Sequence, residues 1–152
     1  MIHRLSFREL VNYDPGLPGI TVPVTLSVNR VRVDCEAKVD TGSTNCIFAR
    51  DLGEELGLDI EAGLRLSVGT ITGNFVAYLH EINMSLASFE FSGLIGFAEH
   101  KEFQRNVLGR RGFVEQIALG LIDYEGKLYL RRHDDESPSS VLMTAIGGRR
   151  PS

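Results

Sequence analysis

The hydrophobic and polar positions of this chain alternate over several stretches of six or more residues, the period of strands with one buried face. Val22, Val24, Leu26 and Val28 form one such set, and Val31, Val33, Cys35, Ala37 and Val39 form the next, with Arg32, Asp34, Glu36, Lys38 and Asp40 between them. Asn29-Arg30 joins the two as a tight turn, so the pattern predicts a hairpin that ends on Asp40. In "FARDLGEELGL", Phe48, Leu52 and Leu56 lie four apart, which predicts a short helix stopped at Gly57. "LRLSV" and "NFVAYLHEINMSL" alternate again on either side of "GTITG", Gly69 to Gly73, and read as a long projecting hairpin with a glycine-bounded tip. "FEF" adds a strand. Residues 107 to 119 read as a strand end, a glycine turn and a helical turn, and "LGLID", "YEG" and "KLYLRR" as a last hairpin ending at Arg132.

The strands are short, regularly interrupted by turn residues, and outnumber the helices, which places the chain in the all-β class. Its 152 residues suit one domain, expected over 1–132, and the polar "HDDESPSS" beyond predicts a flexible tail over 133–152. Within that tail only "VLMTAI", Val141 to Ile146, is apolar, and it is expected either to dock on the domain or to enter a cleft as an extended strand.

Charge removes some functional classes. Sixteen Lys and Arg against 20 Asp and Glu give a net charge of −4, with no basic stripe to follow a nucleic-acid backbone. No apolar run has the length of a membrane span and the start lacks a signal-peptide core, so a cytoplasmic protein without membrane partners is expected. Cys35 and Cys46 make neither a disulfide framework nor a metal-ligand pair, and both are expected to be reduced packing residues. His80 and His100 have no spacing that suggests a metal, and neither metal nor cofactor is expected.

The candidate chemistry sits where the patterned strand stops, at Asp40-Thr41-Gly42-Ser43. By itself this is an ordinary turn between a strand and a helix. With the alternating hairpin before it, "TNCIFARDLGEELGL" after it, the glycine-ended hairpin in mid-chain and Val107-Leu108-Gly109-Arg110 late in the chain, the sequence resembles the retropepsin-like aspartic proteases over roughly residues 20–132. That resemblance implies a closed β-barrel with a flap hairpin and one or two short helices, acting as a homodimer.

The resemblance also assigns roles. Asp40 would be the catalytic carboxylate, Thr41 would brace the paired turns across the dimer, Gly42 would donate its backbone to the carboxylate, and Ser43 would help orient it. Gly69, Thr70, Ile71, Thr72 and Gly73 would form the flap over a bound peptide. Val107, Leu108, Gly109 and Arg110 would support the catalytic turn from behind. The chain carries one Asp-Thr-Gly turn, so the second carboxylate would come from a second copy. The N-terminal segment and Lys127–Arg132 would supply the dimer sheet.

The acidic residues that follow the motif in viral members are here Thr44 and Asn45, so Arg110 would need another partner, either Asp51 or a group across the dimer. The starting Met favours a free-standing cellular peptidase acting on peptide or protein substrates. Two other readings compete: a catalytically silent module of the same fold that binds peptides or dimerises, and the phosphate-binding turn of actin-like ATPases, which the short single-lobed chain disfavours.

Overall fold

A computed structural model describes residues 1–135, so the expected tail, with Val141 to Ile146, lies outside the described residues apart from its first three positions. The strands are β1 (Glu9–Asn12), β2 (Thr21–Val28), β3 (Val31–Val39), β4 (Ile47–Phe48), β5 (Leu64–Thr70), β6 (Gly73–Leu86), β7 (Phe89–Ala98), β8 (Val107–Leu108), β9 (Ile117–Ile122) and β10 (Lys127–Arg132). One α-helix, α1 (Arg50–Glu55), and three short 3₁₀ turns complete the described residues, which are all-β in class.

The strands form two sheets. The larger has the order β2-β3-β8-β4-β7-β6-β5, and β2 also pairs with β6 through Thr25 to Ser27. Six strands thus curl into a barrel-like ring while β5 remains outside it as an edge. The smaller sheet has the order β1-β10-β9. The alternation of β2 and β3 has the expected consequence: Val22, Val24, Leu26, Val33 and Ala37 are buried, and the β2–β3 turn is tight enough to hold Asn29 at a φ of 54°.

Phe48, Phe91, Phe97 and Phe113 are the largest fully buried side chains. Phe113 meets Phe91 edge-on at 5.6 Å between ring centroids, and Arg132 lies 5.7 Å above the same Phe91 ring. These contacts attach the segment after β8 to the large sheet.

Several local expectations need correction. Phe48 belongs to β4 and not to the helix, which covers only Arg50–Glu55. The strand read as "FEF" extends to Ala98, through Gly93 and Gly96, because a glycine at 96 lets β4 approach: a Cβ there would stand 2.6 Å from Ile47 Cδ1, and the Gly96 N–H donates to the Cys46 carbonyl at 2.9 Å. The helical turn expected after Gly109 is a single 3₁₀ turn, Val114–Gln116. Within one chain, the N-terminal strand β1 pairs with β10, Leu10 opposite Tyr129.

Candidate active site

Asp40 follows β3 directly and begins a turn closed by the Ser43 N–H donating to the Asp40 carbonyl at 3.1 Å. Its own N–H donates to the Leu108 carbonyl at 3.0 Å, which continues the parallel β3–β8 ladder by one more bond. The carboxylate is exposed, and its Oδ1 accepts the Gly42 N–H at 2.9 Å. A Cβ on Gly42 would stand 3.3 Å from that oxygen, tighter than an ordinary contact, so glycine is what lets the backbone donor approach. Thr41 is exposed beside it and makes no hydrogen bond with the described residues. Ser43 behaves differently from the expectation: its hydroxyl donates to the Asn45 carbonyl at 2.9 Å rather than to the Asp40 carboxylate, so it shapes the loop and leaves the carboxylate free.

Behind this turn lies the segment after β8. The Arg110 N–H donates to the Ser43 carbonyl and the Arg111 N–H to the Thr44 carbonyl, each at 2.8 Å. The closest approach is at Gly109, where a Cβ would fall 2.3 Å from the Asn45 oxygen and 2.8 Å from the Ser43 oxygen. Cys46 reaches under the same residue: the Gly109 N–H donates to Sγ at 3.3 Å and the thiol faces the Gly109 carbonyl at 3.7 Å. Burial is the main reason the Cys46 thiol is pushed up to about 12 from 9.0, so it is a neutral packing group.

Val107 pairs with Lys38 on one side and Ile47 on the other, and Leu108 pairs with Val39. Residues 107–110 thus lie against the turn. The side chain of Arg110 is exposed and makes no ion pair among the described residues, so Asp51 is not its partner. Glu115 closes the loop instead: Oε1 accepts the Gly112 N–H at 3.0 Å and Oε2 lies 3.2 Å from Arg111. The Gly112 hydrogen bond, and then Arg111, hold the Glu115 carboxyl below its ordinary value.

In front of the turn is a cleft of about 380 Å³ lined by Gly42, Ser43, Thr44, Asn45, Ile47, Ser67, Val68 and Gly69. Its far wall is therefore β5, the first strand of the projecting hairpin. Of the five residues expected to form the flap, only Gly69 faces this cleft. Thr70, Thr72 and Gly73 line a separate hollow with Asn74, Phe75, Phe103 and Arg105, and Ile71 projects into solvent at the tip. The tip is held by Thr70, whose hydroxyl donates to the Gly73 carbonyl at 2.8 Å, and just below it Phe75 stacks on Phe103 at 4.7 Å.

Ser67 and Val68 were missed by sequence reasoning. Their only signal was adjacency to Gly69, and which strand faces the turn is decided by folding.

A carboxylate on a glycine turn is thus backed by a strand more than sixty residues further along the chain. The family model described as aspartyl protease matches residues 22–110, from β2 to the loop behind the turn. The chain belongs to the aspartyl protease family. Among solved structures, this aspartyl protease is similar to the EIAV protease complexed with the inhibitor HBY-793, with a TM-score of 0.51 and 16% identity over 66% of this chain and 88% of that one. At that identity the likeness is one of fold, and the fold is retropepsin-like. No curated protein matches the chain. No helix among the described residues is long and apolar enough to cross a membrane.

Proposed function

We propose that this aspartyl protease is an endopeptidase whose active unit is a homodimer, with water activated between two Asp40 carboxylates. The observation that carries the proposal is Asp40 itself: exposed, at the end of a strand, braced from behind, in a turn whose Gly42 and Ser43 line a cleft, and in the one Asp-Thr-Gly turn in the chain. A carboxylate inside a strand could not meet a symmetry mate, whereas one on a projecting turn can. Two like charges in contact do not both ionise, so the pair shares one proton. The ionised member takes a proton from water while the protonated member donates to the scissile carbonyl as its oxygen gains charge. The resulting gem-diol collapses as the leaving amine is protonated, and no acyl-enzyme forms. This division of labour is established for aspartic proteases as a group.

Within this reading Gly42 holds one carboxylate oxygen, Thr41 is free to meet its counterpart across the dimer, and residues 107–110 stiffen the turn. Gly69 to Gly73 close over an extended peptide laid in the cleft. Hydrolysis needs no cofactor, because the two carboxylates supply both the base and the acid. The fold alone does not guarantee turnover, and a silent peptide-binding module is the reading that loses if cleavage is seen.

The test is a peptide-library digest with the wild type and Asp40→Asn in parallel, across pH. Wild type is expected to cleave best at acid to mildly acid pH and to lose activity as the shared proton leaves, while Asp40→Asn loses at least a factor of about 10³. Cleavage that persists in the Asn variant overturns the assignment. Binding without cleavage by wild type favours the silent module.

A further inference from the structure

Beyond Val76 the β5–β6 hairpin has no further strand beside it among the described residues. β5 is the edge of the large sheet, and β6 pairs with β7 as far as Ala77 opposite Ala98, after which the Glu99 N–H donates to the Val76 carbonyl at 2.9 Å. Among the described residues, no hydrogen bond joins residues 68–75 to anything outside the hairpin. From Val76 to the turn at Thr72 this arm projects ~13 Å, at ~3.3 Å per residue. One aromatic contact supports it: Phe75 stacks on Phe103, with ring centroids 4.7 Å apart and planes inclined by 27°.

Phe103 belongs to the loop between β7 and β8, and both ends of that loop are pinned. At its start the Glu99 carbonyl accepts a hydrogen bond from Arg50 Nη1 at 2.9 Å. At its end Asn106 is held three times: its carbonyl accepts the Lys38 N–H at 2.8 Å, its Oδ1 accepts the Ala49 N–H at 3.0 Å, and its Nδ2 donates to the Glu36 carbonyl at 2.9 Å. The bond from Lys38 to Asn106 is the rung before the one from Asp40 to Leu108. The loop that carries Phe103 is therefore anchored to the strand pair that ends in the Asp40 turn.

The register puts the stack on the cleft side of the sheet. Residues directly opposed in a ladder share a face, as do alternate residues of one strand. Ile47 is opposite Gly96 and Gly96 opposite Leu79; Ala77 and Phe75 occupy alternate positions of β6 from Leu79, and Phe75 is opposite Val68. Ile47 and Val68 both line the cleft in front of the Asp40 turn. Phe75 thus projects from the cleft face, and Phe103 meets it there.

We propose that Phe103 is a positioning residue for the hairpin: its stack with Phe75 is a latch that holds the arm, and with it the cleft wall made by Ser67, Val68 and Gly69, at a fixed height above the Asp40 turn. An aromatic pair shifts an equilibrium by a factor of roughly 2–10, enough to bias the arm and little enough to let it open. A ligand that needs the latched wall binds more weakly in proportion to the unlatched fraction. The proposal rests on the peptidase reading above for its ligand, an extended peptide, but the latch itself is measured without one.

The chain has no tryptophan, so Phe103→Trp places a single fluorophore in the latch of the full 152-residue protein. Adding Phe75→Ala is expected to raise acrylamide quenching of that fluorophore at least about twofold. Equal quenching with and without the Phe75 ring overturns the proposal. Amide hydrogen exchange gives a second measurement, on protein without a fluorophore. Phe103→Ala is expected to speed exchange of residues 68–75 several-fold while residues 77–86 exchange as in the wild type. Uniform acceleration along β6, or none in the arm, overturns the proposal.

Kinetics separate positioning from folding, at a temperature where thermal melts show every variant folded. On the peptide cleaved fastest in the library digest, Phe103→Ala should raise KM about 2- to 10-fold with kcat unchanged, and Phe103→Tyr, which keeps the ring, should restore the wild-type KM. A fall in kcat with KM unchanged, or a Tyr variant as impaired as the Ala variant, overturns the positioning role. If the wild type cleaves no peptide, the peptidase reading fails by itself, and quenching and exchange still decide the latch.

Discussion

Replacing Gly109 by alanine tests whether the loop after β8 holds the Asp40 turn. The new methyl carbon would stand 2.3 Å from the Asn45 oxygen, 2.7 Å from the Asn45 carbonyl carbon and 2.8 Å from the Ser43 oxygen. All three are backbone atoms, so no side chain can swing aside, and ordinary contact requires the two segments to separate by about 1 Å. That separation strains the Arg110-to-Ser43 and Arg111-to-Thr44 hydrogen bonds, both 2.8 Å, and the Gly109 N–H to Cys46 Sγ contact. Overpacking of this kind costs about 1–3 kcal/mol, and each strained bond adds to it, so roughly 3 kcal/mol of lost stability is expected. For a domain of this size that is a fall in Tm of about 6–12 °C.

Activity should fall further than stability explains, because a displacement of about 1 Å at a catalytic group costs on the order of 100-fold in rate. Thermal melts followed by circular dichroism, together with peptide turnover at a temperature where both proteins are fully folded, measure the two effects separately. Gly93→Ala is the matched control, since its Cβ would meet nothing closer than Gly112 Cα at 3.6 Å. A Gly109→Ala protein that melts within about 2 °C of wild type and cleaves at a similar rate would show that the loop does not restrain the turn.

Two predictions concern pH. The Cys46 and Cys35 thiols are pushed up to about 12 and about 11 from 9.0, mainly by burial, so the fold holds both protons more tightly than the unfolded chain does. Their stabilising effect is full below pH 9 and is lost as pH rises through those values; the wild type should therefore lose stability faster than Cys46→Ala in urea melts above pH 9, and equal slopes would refute this. Glu115 is shifted the other way, mainly by the Gly112 N–H, so its contribution is present above 4.5 and disappears as pH falls through its lowered value. Wild type should lose its stability advantage over Glu115→Gln under strongly acid conditions, and a difference that stays constant from pH 7 down to pH 2 would show that the carboxylate does not hold the loop.

The hairpin from Val22 to Val39, the turn at Asp40 and the resemblance carried by residues 107–110 were legible in the sequence, because side-chain alternation and turn chemistry are local properties with fixed periods. So was the presence of a single Asp-Thr-Gly turn, on which the proposed homodimer rests. Strand partners are not local. β3 meets β8 across more than sixty residues, and Gly109 fits against Asn45, from the segment before β4, only through that long-range pairing. Tertiary structure likewise placed Ser67 and Val68, rather than the tip of the hairpin, opposite the turn. It also joined the N-terminal strand to β10 within the chain and left the apolar β9 at an edge. The physical reason is that alternation specifies which face of a strand is buried, whereas the identity of its neighbour depends on how distant segments compete for the same edge once their loops have closed.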